Sequence, residues 1–263
     1  GSKANAKRFR AAARGKYIAI CEGDDYWICR LKLQQQVNLF TKHQRLMLAG
    51  HPAEERDAQT GRKLGIIRPA FSSRLLSMHE LILGDGGLIP SVSMMFRREL
   101  ISNIPSWQAN APIGDYPLVL RAGLTGEVAT DNKVMAVYRR NVPGSWSQRR
   151  GSTFDERWNH ACAMRKFLSE FNHATEGTYA GEVRRMTSKY LSDALVRYSG
   201  DAVRKRTAYI TVSANLTFSD RIFSAVALVI GTSPGIIKTT LRKIRSLSRI
   251  LHGEWIMPHL KAG

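Results

Sequence analysis

Along residues 17–140, apolar runs that stop abruptly at polar clusters alternate with stretches of helical periodicity. The run at 17–21, Tyr-Ile-Ala-Ile-Cys, has too few polar positions for a half-exposed strand and predicts a buried parallel one. Residues 31–43 place Leu31, Leu33, Val37, Leu39 and Phe40 on roughly one side, the mark of an amphipathic helix. Residues 46–50 predict another strand. Residues 78–83 predict a short helix closed by Gly84-Asp85-Gly86-Gly87, read as a flexible connection because it lacks the strand-before, helix-after setting of a phosphate loop. An apolar strand over 89–98 ends in Arg97 and Arg98, and 134–140 predicts the last strand. The Ala-rich basic stretch 4–13, stopped at Gly15, reads as helix, while polar 53–63 with Gly61 reads as a long loop. Strand alternating with helix predicts an α/β layer.

The pattern changes at residue 154. Residues 154–171 and 179–198 predict long helices of mixed charge, and the apolar run 222–230 is broken by Gly231, Pro234 and Gly235, short of the ~20 residues that span a bilayer. Beyond it Lys238, Arg242, Lys243, Arg245 and Arg249 interleave with Ile237, Leu241, Ile244, Leu247, Ile250 and Leu251. Such a segment is either an interfacial helix on anionic lipid or an amphipathic helix docked on the protein. The expected division is residues 1–150, α/β, and 151–263, a mostly helical region with a basic amphipathic tail.

Composition narrows the class. The 263 residues are 43% hydrophobic and 23% charged, which is globular composition. Forty Lys and Arg against 21 Asp and Glu give a formal charge of +19, so anionic partners are expected: nucleotide diphosphates, nucleic acid or an acidic membrane face. Cys21, Cys29 and Cys162 are odd in number and irregularly spaced, which fits neither a disulfide framework nor a zinc site. The basic, polar N-terminus has no apolar signal core, so a reducing, cytoplasmic setting is expected. Gly1-Ser2 without an initiator Met points to a natural protein that continues upstream.

The chemistry concentrates after the first strand. Glu22, Asp24 and Asp25 follow residues 17–21 at the end where open α/β sheets place their ligands. Three acids in four residues repel unless a cation stands between them, and Mg²⁺ or Mn²⁺ held by oxygen is the simplest one. The other reading is a strand-to-helix turn, with Asp24 or Asp25 as a helix cap and Gly23 easing the bend. Asp115 opens a helix as a natural N-cap, with Pro117 in its first turn. A single His such as His51 is more often structural than functional.

Read as strings, Gly15-Lys16-Tyr17-Ile18-Ala19, Glu22-Gly23-Asp24-Asp25-Tyr26-Trp27 and Leu31-Lys32-Leu33-Gln34 resemble the metal-binding segment of family 2 glycosyltransferases of the GT-A fold. Ile104-Pro105-Ser106-Trp107 and Gly114-Asp115-Tyr116-Pro117-Leu118 resemble the same family's segment that carries the catalytic base. The resemblance covers about residues 1–147 and implies a GT-A domain without its first strand-helix unit. It implies Asp25 as metal ligand, Asp24 nearer the ribose or the metal's waters, Glu22 where the family often has Asp, and Asp115 as base. Arg97 would line the sugar and acceptor region, and Trp146 would stack on a sugar or on its own loop. Two departures stand out: Ile28-Cys29-Arg30 replaces a Thr-Asp-Pro turn, and Asn141 stands where a His often assists the metal or diphosphate. The implied function is inverting, metal-dependent sugar transfer from a nucleotide diphosphate sugar to a saccharide or lipid-linked hydroxyl acceptor. The implied setting is bacterial cell-surface polysaccharide assembly, in the cytoplasm or at the inner face of the plasma membrane. The rival reading is a basic protein binding nucleic acid or anionic lipid, for which no nucleic-acid motif is present; an inactive glycosyltransferase remnant is a third.

Overall fold

The computed structural model describes residues 8, 9, 11–70, 72–145, 153–196, 208, 209, 212, 213, 216, 217 and 221. Contacts gather the chain into two compact units, Gly1–Ser152 with Lys166–Met186 and Thr153–Arg165 with Thr187–Gly263, where the sequence pointed to one cut after residue 150. The strands are β1 (Tyr17–Ala19), β2 (Tyr26–Trp27), β3 (Leu46–Gly50), β4 (Ala53–Asp57), β5 (Lys63–Ile67), β6 (Arg74–Leu76), β7 (Met95–Arg97), β8 (Glu127–Thr130) and β9 (Ala136–Arg140). Helices α1 (Lys32–Lys42), α2 (Met78–Leu83), α3 (Ser106–Ala109) and α4 (Asp115–Thr125) lie among them, followed by α5 (Phe154–Ala174) and α6 (Ala180–Val196). Of the expected helix over 4–13, residues 8, 9 and 11–13 are described; 8, 9, 11 and 12 are helical and 13 is not. The basic stretch 237–251 lies outside the described residues.

The first unit is mixed α/β, built on a five-stranded sheet ordered β1-β7-β3-β8-β6 and a four-stranded sheet ordered β2-β9-β4-β5. Among the described residues only β3 with β8 and β4 with β9 pair in parallel. β3 is buried along its whole length, as its unbroken apolar run requires of a central strand. The parallel setting expected for 17–21 is corrected: β1 is an edge strand, antiparallel to β7, with Tyr17 opposite Arg97 and Ala19 opposite Met95. Its apolar character serves the helix layer instead, since Tyr17 stacks on Phe40 of α1 at 4.6 Å.

The polar stretch 53–63 is also not a loop. It supplies β4 and opens β5, an antiparallel pair whose turn is tied by Asp57, which accepts from the backbone N–H of Gln59 and Thr60 at 3.0 and 2.8 Å. Gly61 takes the positive φ of +69° that the turn needs. Glu54 pairs with Arg56 and with Lys63, 3.0 Å away, so cross-strand charge replaces the apolar alternation by which strands are usually read.

α4 is anchored by Tyr116, wholly buried, whose hydroxyl donates to the Ile82 carbonyl at 2.6 Å and whose ring meets Phe167 edge-on at 5.8 Å. Trp107 meets Phe171 in the same way at 5.3 Å. In the second unit Ala161, Leu191, Ala194 and Leu195 pack with Ala208, Val212 and Leu216.

Candidate functional site

The acidic stretch is the chain's passage from one sheet to the other. Ile20 still donates its N–H to Met94 at 3.1 Å, continuing the β1–β7 ladder, and Tyr26 already pairs with Val137 in the other sheet. Between them the Asp25 N–H donates to the Glu22 carbonyl at 3.0 Å, closing a turn that holds all three acids. Asp25 is buried, and its Oδ1 accepts the backbone N–H of Arg139 at 2.7 Å. The Arg139 guanidinium donates to the Asp24 carbonyl, so this residue clasps the turn from two sides. Glu22 keeps solvent contact as a residue, but Ser91 Oγ donates to its carboxylate at 2.5 Å.

Desolvation pushes Asp25 up to about 6, with Asp24 adding to the rise and Arg139 opposing it. Desolvation also pushes Glu22 up to about 7, against the Ser91 hydrogen bond and with help from Asp25, Asp115 and Asp24. Asp115, far along the chain, therefore shares the field of the acidic turn. It is the first residue of α4 rather than its cap, and its Oδ1 accepts the Tyr116 N–H at 2.8 Å. Gly86 lies against it: a Cβ at that position would be 3.5 Å from Asp115 Oδ1. The glycine-rich stretch read as a plain connection is thus a neighbour of the second acidic site.

Beneath the turn lies a buried polar layer. α1 buries Lys32, Gln36 and Phe40, while Leu31 and Leu33, expected on the packed side, are exposed. Lys32 Nζ donates to Gln36 Oε1 at 2.8 Å and sits 4.3 Å from the centre of the Trp27 ring. Gln36 Nε2 donates to the Ala49 and Ser93 carbonyls at 3.1 and 2.8 Å, and Trp27 Nε1 donates to the Val92 carbonyl at 3.0 Å. The turn 91–93 that presents Ser91 to Glu22 is thereby tied to α1, β2 and β3. Burial pulls Lys32 down to about 8. His51 is fully buried; its Nδ1 donates to the Pro52 carbonyl at 2.8 Å, its Nε2 has no partner among the described residues, and burial lowers it to about 4. These are features of a structural, neutral imidazole.

The structure brings Glu22, Asp24, Asp25 and Asp115 into one electrostatic neighbourhood but not Arg97. Arg97 stands opposite Tyr17, at the end of β1 away from the acids, and donates to the Leu46 and Gln44 carbonyls at 2.7 and 2.8 Å. Asn141 is taken by the β4–β5 turn, donating to Asp57 at 2.6 Å and holding its carboxyl down at about 2. Trp146 lies outside the described residues. Ser91, Arg139, Tyr138 and Gly86 are the residues that sequence reasoning did not assign to the site. Arg139 acts partly through its backbone N–H, which no side-chain pattern signals, whereas the Pro90-Ser91 step could have flagged a turn. Among the described residues no three His, Cys, Asp or Glu side chains form a group able to hold a metal ion by themselves. A shallow groove of about 400 Å³ lined by Trp107, Asn110, Glu170 and His173 contains none of these acids.

No protein-family model matches the chain. It is 37% identical over 147 residues to an uncharacterized protein of Mycobacterium bovis and, equally, to one of Mycobacterium tuberculosis. The match takes in 56% of this chain and spans 41% of the length of each relative.

Proposed function

We propose that the chain belongs to an inverting, metal-dependent glycosyltransferase of GT-A type that moves a sugar from a nucleotide diphosphate to a hydroxyl acceptor. The observation that supports this reading is the convergence of acids from distant segments: Glu22 and Tyr138 both respond electrostatically to Asp25 and to Asp115. A solvated acidic turn has no need of a fourth carboxylate from α4. The resemblance further implies work in bacterial cell-surface polysaccharide assembly.

The donor chemistry of the turn fits a hard divalent ion. Asp25 is desolvated and repelled by Asp24, and Arg139 occupies only one of its oxygens with a hydrogen bond. One or two carboxylates without a closed protein cage suit Mg²⁺ or Mn²⁺, which keep positions for waters and phosphate oxygens. Asp25, with Asp24, would hold the ion, and the ion would supply charge to the departing diphosphate. Asp115 accepts the proton of the acceptor hydroxyl as that oxygen bonds to the anomeric carbon. The bond from that carbon to the diphosphate breaks on the opposite face, its electron pair leaves with the phosphate, and the configuration inverts. Ser91 orients Glu22, and Arg139 holds Asp25 in place.

Calorimetric titration with UDP, GDP and dTDP, each with and without Mn²⁺, tests the donor half. Metal-dependent binding of one nucleotide is expected, with at least about tenfold weakening in Asp25→Asn, which keeps the acceptor for Arg139. Unchanged binding in that variant would remove Asp25 from the site. Asp115→Asn is expected to leave nucleotide affinity intact and to abolish transfer.

A further inference from the structure

Tyr138 neither holds an ion nor takes a proton, yet its side chain reaches the same acids. Ala136, Tyr138 and Arg140 alternate on one side of β9, and Tyr138 packs there against the buried cluster of Ala53, Val92 and Ala136. Val92 follows Ser91, which holds Glu22, and Arg139, whose N–H holds Asp25, follows Tyr138. The Arg140 guanidinium lies 4.7 Å from the centre of the Tyr138 ring and is itself held by Glu55 at 2.6 Å. The ring is therefore pinned to its strand, and its hydroxyl is carried at a set place. Among the described residues that hydroxyl makes no hydrogen bond, although Asp25, Glu22 and Asp115 all act on it electrostatically. Desolvation raises the phenol above its ordinary value, with Arg140 opposing and the three acids adding. It keeps its proton at neutral pH and serves as a hydrogen-bond donor, not as a base.

We propose that the Tyr138 hydroxyl binds the sugar being transferred, donating a hydrogen bond to one of its hydroxyl oxygens. This rests on the sugar-transfer reading: with the diphosphate at Asp25 and the acceptor hydroxyl at Asp115, the sugar occupies the space between them. A phenol in the field of both acids stands beside that space. Charge separates the sugar from a phosphate as the partner. A phosphate oxygen is repelled by the carboxylates around Tyr138 unless a cation holds it, and it then belongs to the cation. A neutral hydroxyl carries no such penalty. It also accepts from Tyr138 while donating to a neighbouring carboxylate, so a polyol satisfies the donor and the acids together.

Calorimetry in the presence of Mn²⁺ on the parent chain and on Tyr138→Phe, which keeps the ring and its packing, tests this. UDP, GDP and dTDP are titrated beside UDP-glucose, UDP-galactose, UDP-N-acetylglucosamine, GDP-mannose and dTDP-rhamnose. Tyr138→Phe is expected to bind the free nucleoside diphosphate like the parent, and its sugar ester about tenfold more weakly. Donors lacking single hydroxyls of that sugar locate the partner. One of them is expected to lose about tenfold on the parent and nothing further on Tyr138→Phe. A merely structural Tyr138 would weaken the free diphosphate as well, and that result overturns the proposal. So do equal affinities of the two chains for the nucleotide sugar, or deoxy donors that all lose alike on both chains. Absence of any metal-dependent nucleotide binding by the parent refutes the sugar-transfer reading, and the role of Tyr138 with it. Binding that is lost in Asp25→Asn but untouched in Tyr138→Phe refutes the role of Tyr138 alone.

Discussion

The two sheets of the first unit are held by different forces. In the five-stranded sheet β3 is buried from Leu46 to Gly50, and β7 and β8 flank it with Met95, Phe96, Val128 and Ala129, all buried. In the four-stranded sheet β4 reads Ala-Glu-Glu-Arg-Asp, and its neighbours answer with charge: Glu55 with Arg140 at 2.6 Å, Glu54 with Lys63 at 3.0 Å. Apolar burial dominates the first, while the second has a smaller buried cluster of Ala53, Ala136 and Val92 and adds cross-strand ion pairs. The acidic turn runs from one to the other. Its acids are held by Arg139 of β9 and by Ser91 of the turn 91–93, whose Val92 packs with Ala53 and Ala136 of the four-stranded sheet.

The contrast can be broken at its strong side first. Leu48→Ala in the centre of β3 is expected to cost about 2–5 kcal/mol, measured by urea denaturation, because a fully buried leucine leaves a cavity that two flanking strands cannot collapse into. A loss below about 1 kcal/mol would mean that the five-stranded sheet does not carry the core.

The next largest effect is on pH dependence. Glu22 and Asp25 both stand above their ordinary carboxyl values, at about 7 and about 6, so the folded chain holds protons that the unfolded chain has released. Stability contributed by these groups is therefore lost as pH rises from about 4 through 7. Thermal melts of Glu22→Gln across that range are expected to show a flatter decline than the parent. The same flattening is expected when Mn²⁺ is added to the parent, since a dication favours the ionised acids. A parent melting temperature that rises from pH 4 to 7 in step with these groups, and loses that rise in Glu22→Gln, would reverse the assignment.

The smallest effect belongs to the polar sheet. Glu54→Ala removes the partner of Arg56 and Lys63, whose side chains remain in water, and is expected to shift the urea midpoint only slightly, and less at high salt. A loss comparable to that of Leu48→Ala would erase the distinction between the sheets.

What was legible in the sequence follows from the same division. β3 and α2 stand at residues 46–50 and 78–83, as expected, because an unbroken apolar run and a short helical stretch closed by glycines are local signals; the structure adds a Ser77–Glu80 capping box to α2. β4 and the first residue of β5 fall in the stretch that reads as loop, because charge pairing between strands has no signature in either strand alone. The stripe predicted on α1 failed for a related reason: periodicity says which residues share a face, and only the neighbours say which face is buried. Around α1 those neighbours include the Ala49 and Ser93 carbonyls and the Trp27 ring, which accept Gln36 and Lys32.

The candidate site divides along the same line. The order Glu22, Asp24, Asp25 and the acid that opens α4 are written in the chain, and so is the apolar run that delivers the first three to the end of a strand. That Asp115 shares their field, that Ser91 and the Arg139 backbone hold the carboxylates, and that Arg97 serves the far end of the sheet were decided by strand order and register. Those depend on contacts between segments up to 115 residues apart, such as Asp24 and Asp25 with Arg139. Side-chain chemistry is local and can be read residue by residue. Desolvation, mutual repulsion and the choice of hydrogen-bond partner arise only when folding closes those distances.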